Sequence, residues 1–295
     1  MGDLRRRRLT WMASGAAGIT LVAAAAIIVV ERYRDEVQEV TIDDAVENFQ
    51  ARSPSTLIDV DASPGDTARS SSSGAVADPD SYEPTTTART AAELRLPDDG
   101  VYDYAATGQE QVDVLTGATH VYPAETAVVV EPFGCGSRLT WMPFVERTEG
   151  WDTCVRDGGI ALVSYTATHE FFNSHEVRHL VCTEPAWIVP PPDAPTTMTA
   201  TCEGDGLSEV RTTTVVGTST VTVGGVDVAT IELDVAVETS GTTTGASTRH
   251  LVVDARSGLP INWSDTVANT TPTPVGDAHY DESFTLTVMS LSPRT

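Results

Sequence analysis

The chain contains no lysine: its 18 basic residues are all arginine, against 42 acids, for a formal net charge of -24 over 295 residues. So acidic a surface repels phosphate backbones, which argues against nucleic acid as a partner. Also missing are the short patterns that mark common chemistries. There is no Gly-x-Ser-x-Gly elbow, no Walker loop and no dinucleotide fingerprint. Cysteine is confined to four positions, none spaced Cys-x-x-Cys, so a structural zinc site has no ligand pair to start from. After residue 96 no stretch repeats its apolar residues at a helical period.

What is present divides the chain into parts. Arg5, Arg6, Arg7 and Arg8 precede residues 11–30, a run from Trp11 to Val30 without a charge. As a helix this run spans ~30 Å, the thickness of a bilayer's hydrocarbon core. The arginines put residues 1–10 in the cytoplasm as a basic tail, with Trp11 at the inner interface. A cleaved signal peptide is the alternative, since Ala24 and Ala26 satisfy the small-residue rule. Residues 27–30 would prolong the apolar run beyond that cut, which favours an uncleaved signal anchor. No cysteine lies near the segment, so a lipoprotein anchor is not expected. The expected location is the cell membrane, single-pass, with the bulk of the chain extracytoplasmic.

Residues 31–51 include Thr41-Ile-Asp-Asp44, an acid three positions after a candidate helix cap, and Ile42, Ala45, Val46 and Phe49 at helical spacing. Two readings stay open: a separate juxtamembrane helix, or a continuation of the transmembrane one. Residues 52–95 hold serine and threonine runs, several prolines and one aromatic, Tyr82. Such a composition cannot offset the entropy of ordering and predicts a disordered linker. Its r.m.s. span of roughly 35 Å would tether a domain clear of the membrane.

Residues 96–295 read as one antiparallel, mainly β domain. Strands are expected at 101–104, 127–131, 139–145, 160–172, 176–182, 210–223, 226–239, 247–253, 261–267 and 283–291. Gly224-Gly225 marks a hairpin, and Gly258 suits the turn before Pro260. Of three possible cysteine pairings, Cys135–Cys154 and Cys182–Cys202 are favoured, because each pair brackets a candidate hairpin.

His175-Glu176-Val-Arg-His179 matches the H-E-x-x-H pattern of zinc hydrolases, whose chemistry needs both histidines on one helix face. Here Asn173-Ser174 is a turn signal between β-rich runs. On a strand His175 and Glu176 point to opposite faces, and the zinc geometry fails. Glu203 is a conceivable third ligand. His169, His175 and His179 are candidates for incidental metal binding from one strand face. Asp205, Asp227 and Asp234 read as a solvated face, while His250 and His279 have no evident partner. Trp141, Trp151, Trp187 and Trp263 suit a core better than a ligand cavity.

Residues 206–292 run as long Thr/Val-rich strands with Arg249-His-Leu-Val-Val-Asp254 and then Ser257-Gly-Leu-Pro260. This resembles bacterial envelope proteins of the lipoprotein-carrier type, and Gly100-Val-Tyr-Asp-Tyr104 with Gly108-Gln-Glu110 is similar to their opening hairpin. The resemblance implies a curved antiparallel half-barrel; a filled β-sandwich is the alternative. The layout is also similar to single-pass membrane proteins of actinobacteria, a source that the lysine-free composition suits. The expected function is a membrane-anchored, non-catalytic binding module without a cofactor, for a hydrophobic ligand, a lipid or an envelope protein. The alternatives are a zinc-dependent hydrolase using His175, Glu176 and His179, and a structural or adhesive module.

Overall fold

The computed structural model describes residues 37–52, 94–113, 117–172, 174–274 and 276–295. The apolar run at 11–30 and residues 53–93 lie outside them. Among the described residues no helix is long and apolar enough to cross a membrane.

Among the described residues one helix, α1 (Ile42–Arg52), precedes thirteen strands. The first five are β1 (Gly100–Val112), β2 (Ala118–Val121), β3 (Glu125–Phe133), β4 (Gly136–Phe144) and β5 (Arg147–Arg156). Then follow β6 (Gly159–Phe171), β7 (Ser174–Val189), β8 (Thr197–Gly204) and β9 (Leu207–Val223). The last four are β10 (Val226–Gly241), β11 (Thr244–Asp254), β12 (Pro260–Thr273) and β13 (Gly276–Val288). From β3 onward each strand pairs antiparallel with the next. The Gly224-Gly225 hairpin joins β9 to β10 as expected, with Val223 opposite Val226. β2 and β3 lie on β1 in one unbroken register, from Val112↔Ala118 to Gly100↔Val130. They are two parts of one line, interrupted where Pro123 has no N–H to give.

The curved sheet expected from the sequence is formed, and it curves until it closes. β13 returns to pair with β1 over nine residue pairs, Tyr104↔Val288 to Val112↔Tyr280. The result is a closed barrel of twelve strands with β2 as an extra one, so the ring has no free edge to protect. Gly108 sits at this closing seam with φ +129°, and a Cβ there would lie 2.1 Å from the Ser283 carbonyl oxygen. Only glycine lets β1 and β13 approach so closely.

Alternation along the strands builds the interior in layers. On β13, Val288, Leu286 and Phe284 are buried in an apolar core, and the next buried position toward the β12–β13 hairpin is Glu282. On β12, Ile261 and Trp263 give way to Asp265; on β11, Val253 and Leu251 give way to Arg249. One end of the barrel is therefore filled by side chains. Trp151 and Trp263 lie 4.3 Å apart between ring centroids, and Trp141 and Phe284 4.5 Å. Those three tryptophans are core, as expected, while Trp187 is partly buried.

The helix expected around residues 41–49 is a separate element that packs on the barrel. Thr41 Oγ1 accepts the Asp44 N–H, and Asp44 Oδ2 accepts the Thr41 N–H, which closes a capping box. Ile42, Ala45 and Phe49 then cover Val101, Ala127 and Val129 on the outside of β1 and β3. Burying a side chain the size of Phe49 contributes about 1.5–3 kcal/mol. Just before the helix, Val40 N donates to the Pro143 carbonyl and Val145 N to the Gln38 carbonyl, at the β4–β5 turn. The folded body thus begins at residue 37 rather than 96. The linker leaves it after Arg52 and rejoins it at Leu94, which packs on the core. The tether expected there runs from the body back to the body, and does not separate it from the N-terminal segment.

Both disulfides take the pairing expected, Cys135–Cys154 and Cys182–Cys202. They do different work. Cys135–Cys154 fastens the β3–β4 turn to β5. Cys182–Cys202 sits where the ring is weakest, since β7 and β8 share only the pairs Val181↔Glu203 and Cys182↔Cys202. Beyond that pair side chains replace the ladder: Glu184 accepts the Thr201 N–H at 3.1 Å, and Asp205 accepts the His179 N–H at 2.7 Å. Replacing Cys182 and Cys202 by serine should cost about 3 kcal/mol in the full-length protein. Hydrogen exchange should quicken mainly in β7 and β8. Exchange that is unchanged there, or raised equally around the ring, would contradict this account of the seam.

Candidate functional site

Above the apolar core lies a layer of charges that spans the barrel. Arg147, on β5, is 1% exposed. Its Nη2 donates to Glu149 Oε2 at 2.9 Å and Glu282 Oε1 at 3.0 Å, and its Nη1 to the Thr148 carbonyl at 2.9 Å. Arg249, on β11, donates from Nε to Asp265 Oδ2 at 2.7 Å and from Nη2 to Glu149 Oε1 at 3.0 Å. Its guanidinium lies over Trp151 and Trp263, 4.7 and 5.1 Å from their centroids. Glu149 thus bridges both arginines, and the Tyr122 hydroxyl also donates to Glu282.

A second carboxylate, Glu110 on β1, is held by His120 Nδ1 at 2.9 Å and the Tyr280 hydroxyl at 2.9 Å. Burial pushes the Glu110 carboxyl up, but the His120 hydrogen bond, the His169 ring and the Arg147 charge outweigh it and hold it well below its usual range. Glu149 follows the same logic: burial raises it, and Arg249 and Arg147 bring it below normal. Asp265 is the exception. Burial, with Glu149 and Glu282 close by, outweighs its pairing with Arg249 and pushes it up to about 6.

This layer is the floor of a cavity of about 270 Å³. It opens at the end of the barrel that carries the β6–β7, β10–β11 and β12–β13 hairpins. Its walls combine Tyr165, Ala167, Phe171, Phe172, Val267 and Tyr280 with Glu176, Arg178, Glu209, Arg211 and Asn269. Arg178 is paired with Glu176 at 2.7 Å. Arg211 differs from the other arginines of the cavity. It is 6% exposed, its Nε has no hydrogen-bond partner, and its nearest carboxylate, Glu209 Oε2, lies 3.3 Å from that nitrogen. Buried Asp265 Oδ1, Asn269 Oδ1 and His169 Nδ1 also lack a hydrogen bond, and all three residues line this cavity. His169 Nδ1 is 3.4 Å from Glu110 Oε2, outside hydrogen-bond geometry.

The residues singled out from the sequence are distributed differently. His175-Glu-Val-Arg-His179 lies on strand β7, and the helix that zinc chemistry requires is not formed. His175 and His179 are exposed, while Glu176 and Arg178 line the cavity on the other side of the sheet. His169 is on the neighbouring strand β6 and also faces the cavity, so the three histidines do not share a face. Among the described residues no group of three His, Cys, Asp or Glu side chains is placed to hold a metal. Glu203 is exposed on β8, and Asp205, Asp227 and Asp234 are exposed as expected of a solvated face. His250 and His279 do have partners: Asp234 Oδ1 at 2.9 Å and Thr270 Oγ1 at 3.0 Å. Glu110, Arg147, Glu149, Arg211, Arg249, Asp265, Asn269 and Glu282 were not anticipated. Their signal is phase: Tyr280-x-Glu282-x-Phe284-x-Leu286 and Arg249-x-Leu251-x-Val253 place charges on the apolar side of the alternation.

No family model matches the chain, and no curated protein matches it. Among solved structures, the crystal structure of the hypothetical lipoprotein YmcC from Escherichia coli is similar over 67% of this chain and 92% of that one. The identity is 9% and the TM-score 0.24, too slight a likeness to carry an argument about this barrel.

The raised Asp265 carboxyl has a consequence for stability. Its proton is held more tightly in the folded barrel than in the unfolded chain. Stability from this group is complete below the usual aspartate value of 3.8 and is lost as pH rises through about 6. The loss amounts to roughly 3 kcal/mol between pH 4 and 7. Asp265→Asn cannot titrate, so urea melts of the full-length variant should lack that part of the slope. Parallel pH profiles for variant and parent would contradict the shift.

Proposed function

We propose that the barrel is an extracytoplasmic, non-catalytic binding module that takes a small ligand into its open end. The observation that carries this reading is the cavity above the ionic floor, whose lining residues include four with buried polar atoms that lack a hydrogen bond, Arg211, Asp265, Asn269 and His169. Buried polar groups are normally satisfied, and those left over in a concave site are where a guest binds. The two disulfides fit an oxidising compartment outside the cytoplasm. Anchoring by residues 11–30 is part of the proposal. The chain joins the body at the β4–β5 turn, next to Arg147 at the cavity floor. Residues 31–36 can span at most about 20 Å, so an anchored barrel would keep this rim close to the membrane surface. A wholly hydrophobic guest suits the site poorly, because the wall includes four arginines and five carboxylates.

Ala278 lines the cavity near its mouth, and a larger side chain there would occupy it. Small-molecule extracts of the purified full-length protein and of Ala278→Trp, compared by mass spectrometry, test the proposal. A compound carried by the parent and absent from the variant is expected. Identical extracts from two equally folded proteins would contradict it.

A further inference from the structure

The chemistry of the cavity wall narrows the class of guest, on the premise that the barrel binds a small ligand at all. Two features decide it. The first is how charge is distributed. Each carboxylate of the wall lies against an arginine: Glu149 and Glu282 against Arg147, Asp265 against Arg249, Glu176 against Arg178, Glu209 against Arg211. An anion would meet an excess of carboxylate, five against four arginines, and a cation would compete with an arginine already seated on each carboxylate. Either would lose its hydration without gaining a free counter-charge.

The second feature is the polarity of the groups left over. Arg211 Nε is a donor, and Asp265 Oδ1 is an acceptor. Asn269 Oδ1 is a second acceptor, and turning the amide would put a donor in its place. His169 Nδ1 can serve as either. Groups of both kinds around one cavity are matched by hydroxyls, each of which donates and accepts. The same cavity holds aromatic rings at Tyr165 and Tyr280, against which the C–H face of a ring can pack. Its volume of about 270 Å³ lies just under the usual range of small-molecule sites, ~300–1,000 Å³. That suits a single sugar ring better than an acyl chain.

We propose that the cavity binds an uncharged, polyhydroxylated molecule the size of one sugar ring, with Arg211 and Asn269 as its principal hydrogen-bonding residues. The full-length protein is probed by saturation-transfer NMR with D-glucose, D-galactose, D-mannose and myo-inositol, and in parallel with octanoate as an anion and choline as a cation. At least one of the neutral polyols is expected to give a saturable signal. That signal should weaken about tenfold or more in Asn269→Ala and in Arg211→Met, while both variants stay folded with the parent's circular-dichroism spectrum. Binding of octanoate or choline with no polyol bound would overturn the ligand class and leave the binding module standing. Polyol binding that both variants retain would overturn the assignment of the site. If none of the probes binds and extracts of the parent and Ala278→Trp are identical, the cavity holds only water and both readings fail.

Discussion

The contact on which the rest of this barrel depends is the charged bridge from Arg147 through Glu149 to Arg249, with Glu282 and Asp265 closing its ends. It joins β5 to β11, β12 and β13 across the interior, and so ties together strands far apart around the ring. Ions this deeply buried are tolerable only when each is paired and hydrogen-bonded. Removing one partner leaves its neighbours uncompensated in a low-dielectric interior. The layer therefore acts as a floor: apolar side chains fill the barrel on one side of it, and on the other the walls stay polar and open.

Closure and the floor depend on each other. Glu282 and Glu110 belong to β13 and β1, whose pairing seals the ring. Both lie close to Arg147, Glu282 by hydrogen bonds and Glu110 at 3.7 Å. A sheet left open at that seam would expose the charges to water and remove the reason for pairing them. At the opposite weak point, between β7 and β8, a covalent bond does what the backbone ladder does elsewhere. The helix α1 covers the outside of β1 and β3 and brings the entering chain to the cavity end.

Much of the fold was legible in the sequence because it is written in local signals. The Thr/Val runs, the Gly224-Gly225 hairpin, the cysteine spacing and the Thr41 cap each act over a few residues, or over one hairpin. Two kinds of feature were not legible. Closure joins Tyr104 to Val288, and nothing in either segment names its distant partner. Strand β5 was passed over because Arg147-Thr-Glu149 lacks apolar alternation, and β8 was passed over although Met198, Ala200 and Cys202 alternate with threonine, because two of those three side chains are small. In β5 the inward places are taken by ions that resemble a solvated face until their partners are known. The candidate site was missed for the same reason. A histidine motif with a familiar spacing drew attention to His175 and His179, which are exposed, while the buried charges carried no motif at all.

The central claim is that one set of arginines holds the barrel together while Arg211 serves the cavity. Urea unfolding of full-length Arg147→Met and Arg211→Met tests it most directly. Arg147→Met strands Glu282 and takes one of its two arginines from Glu149, and should cost about 3–5 kcal/mol; Arg211→Met, which removes one ion pair to the partly exposed Glu209 and a contact with the Tyr165 ring, should cost no more than about half of that. Equal losses from the two variants would contradict the division between floor and site.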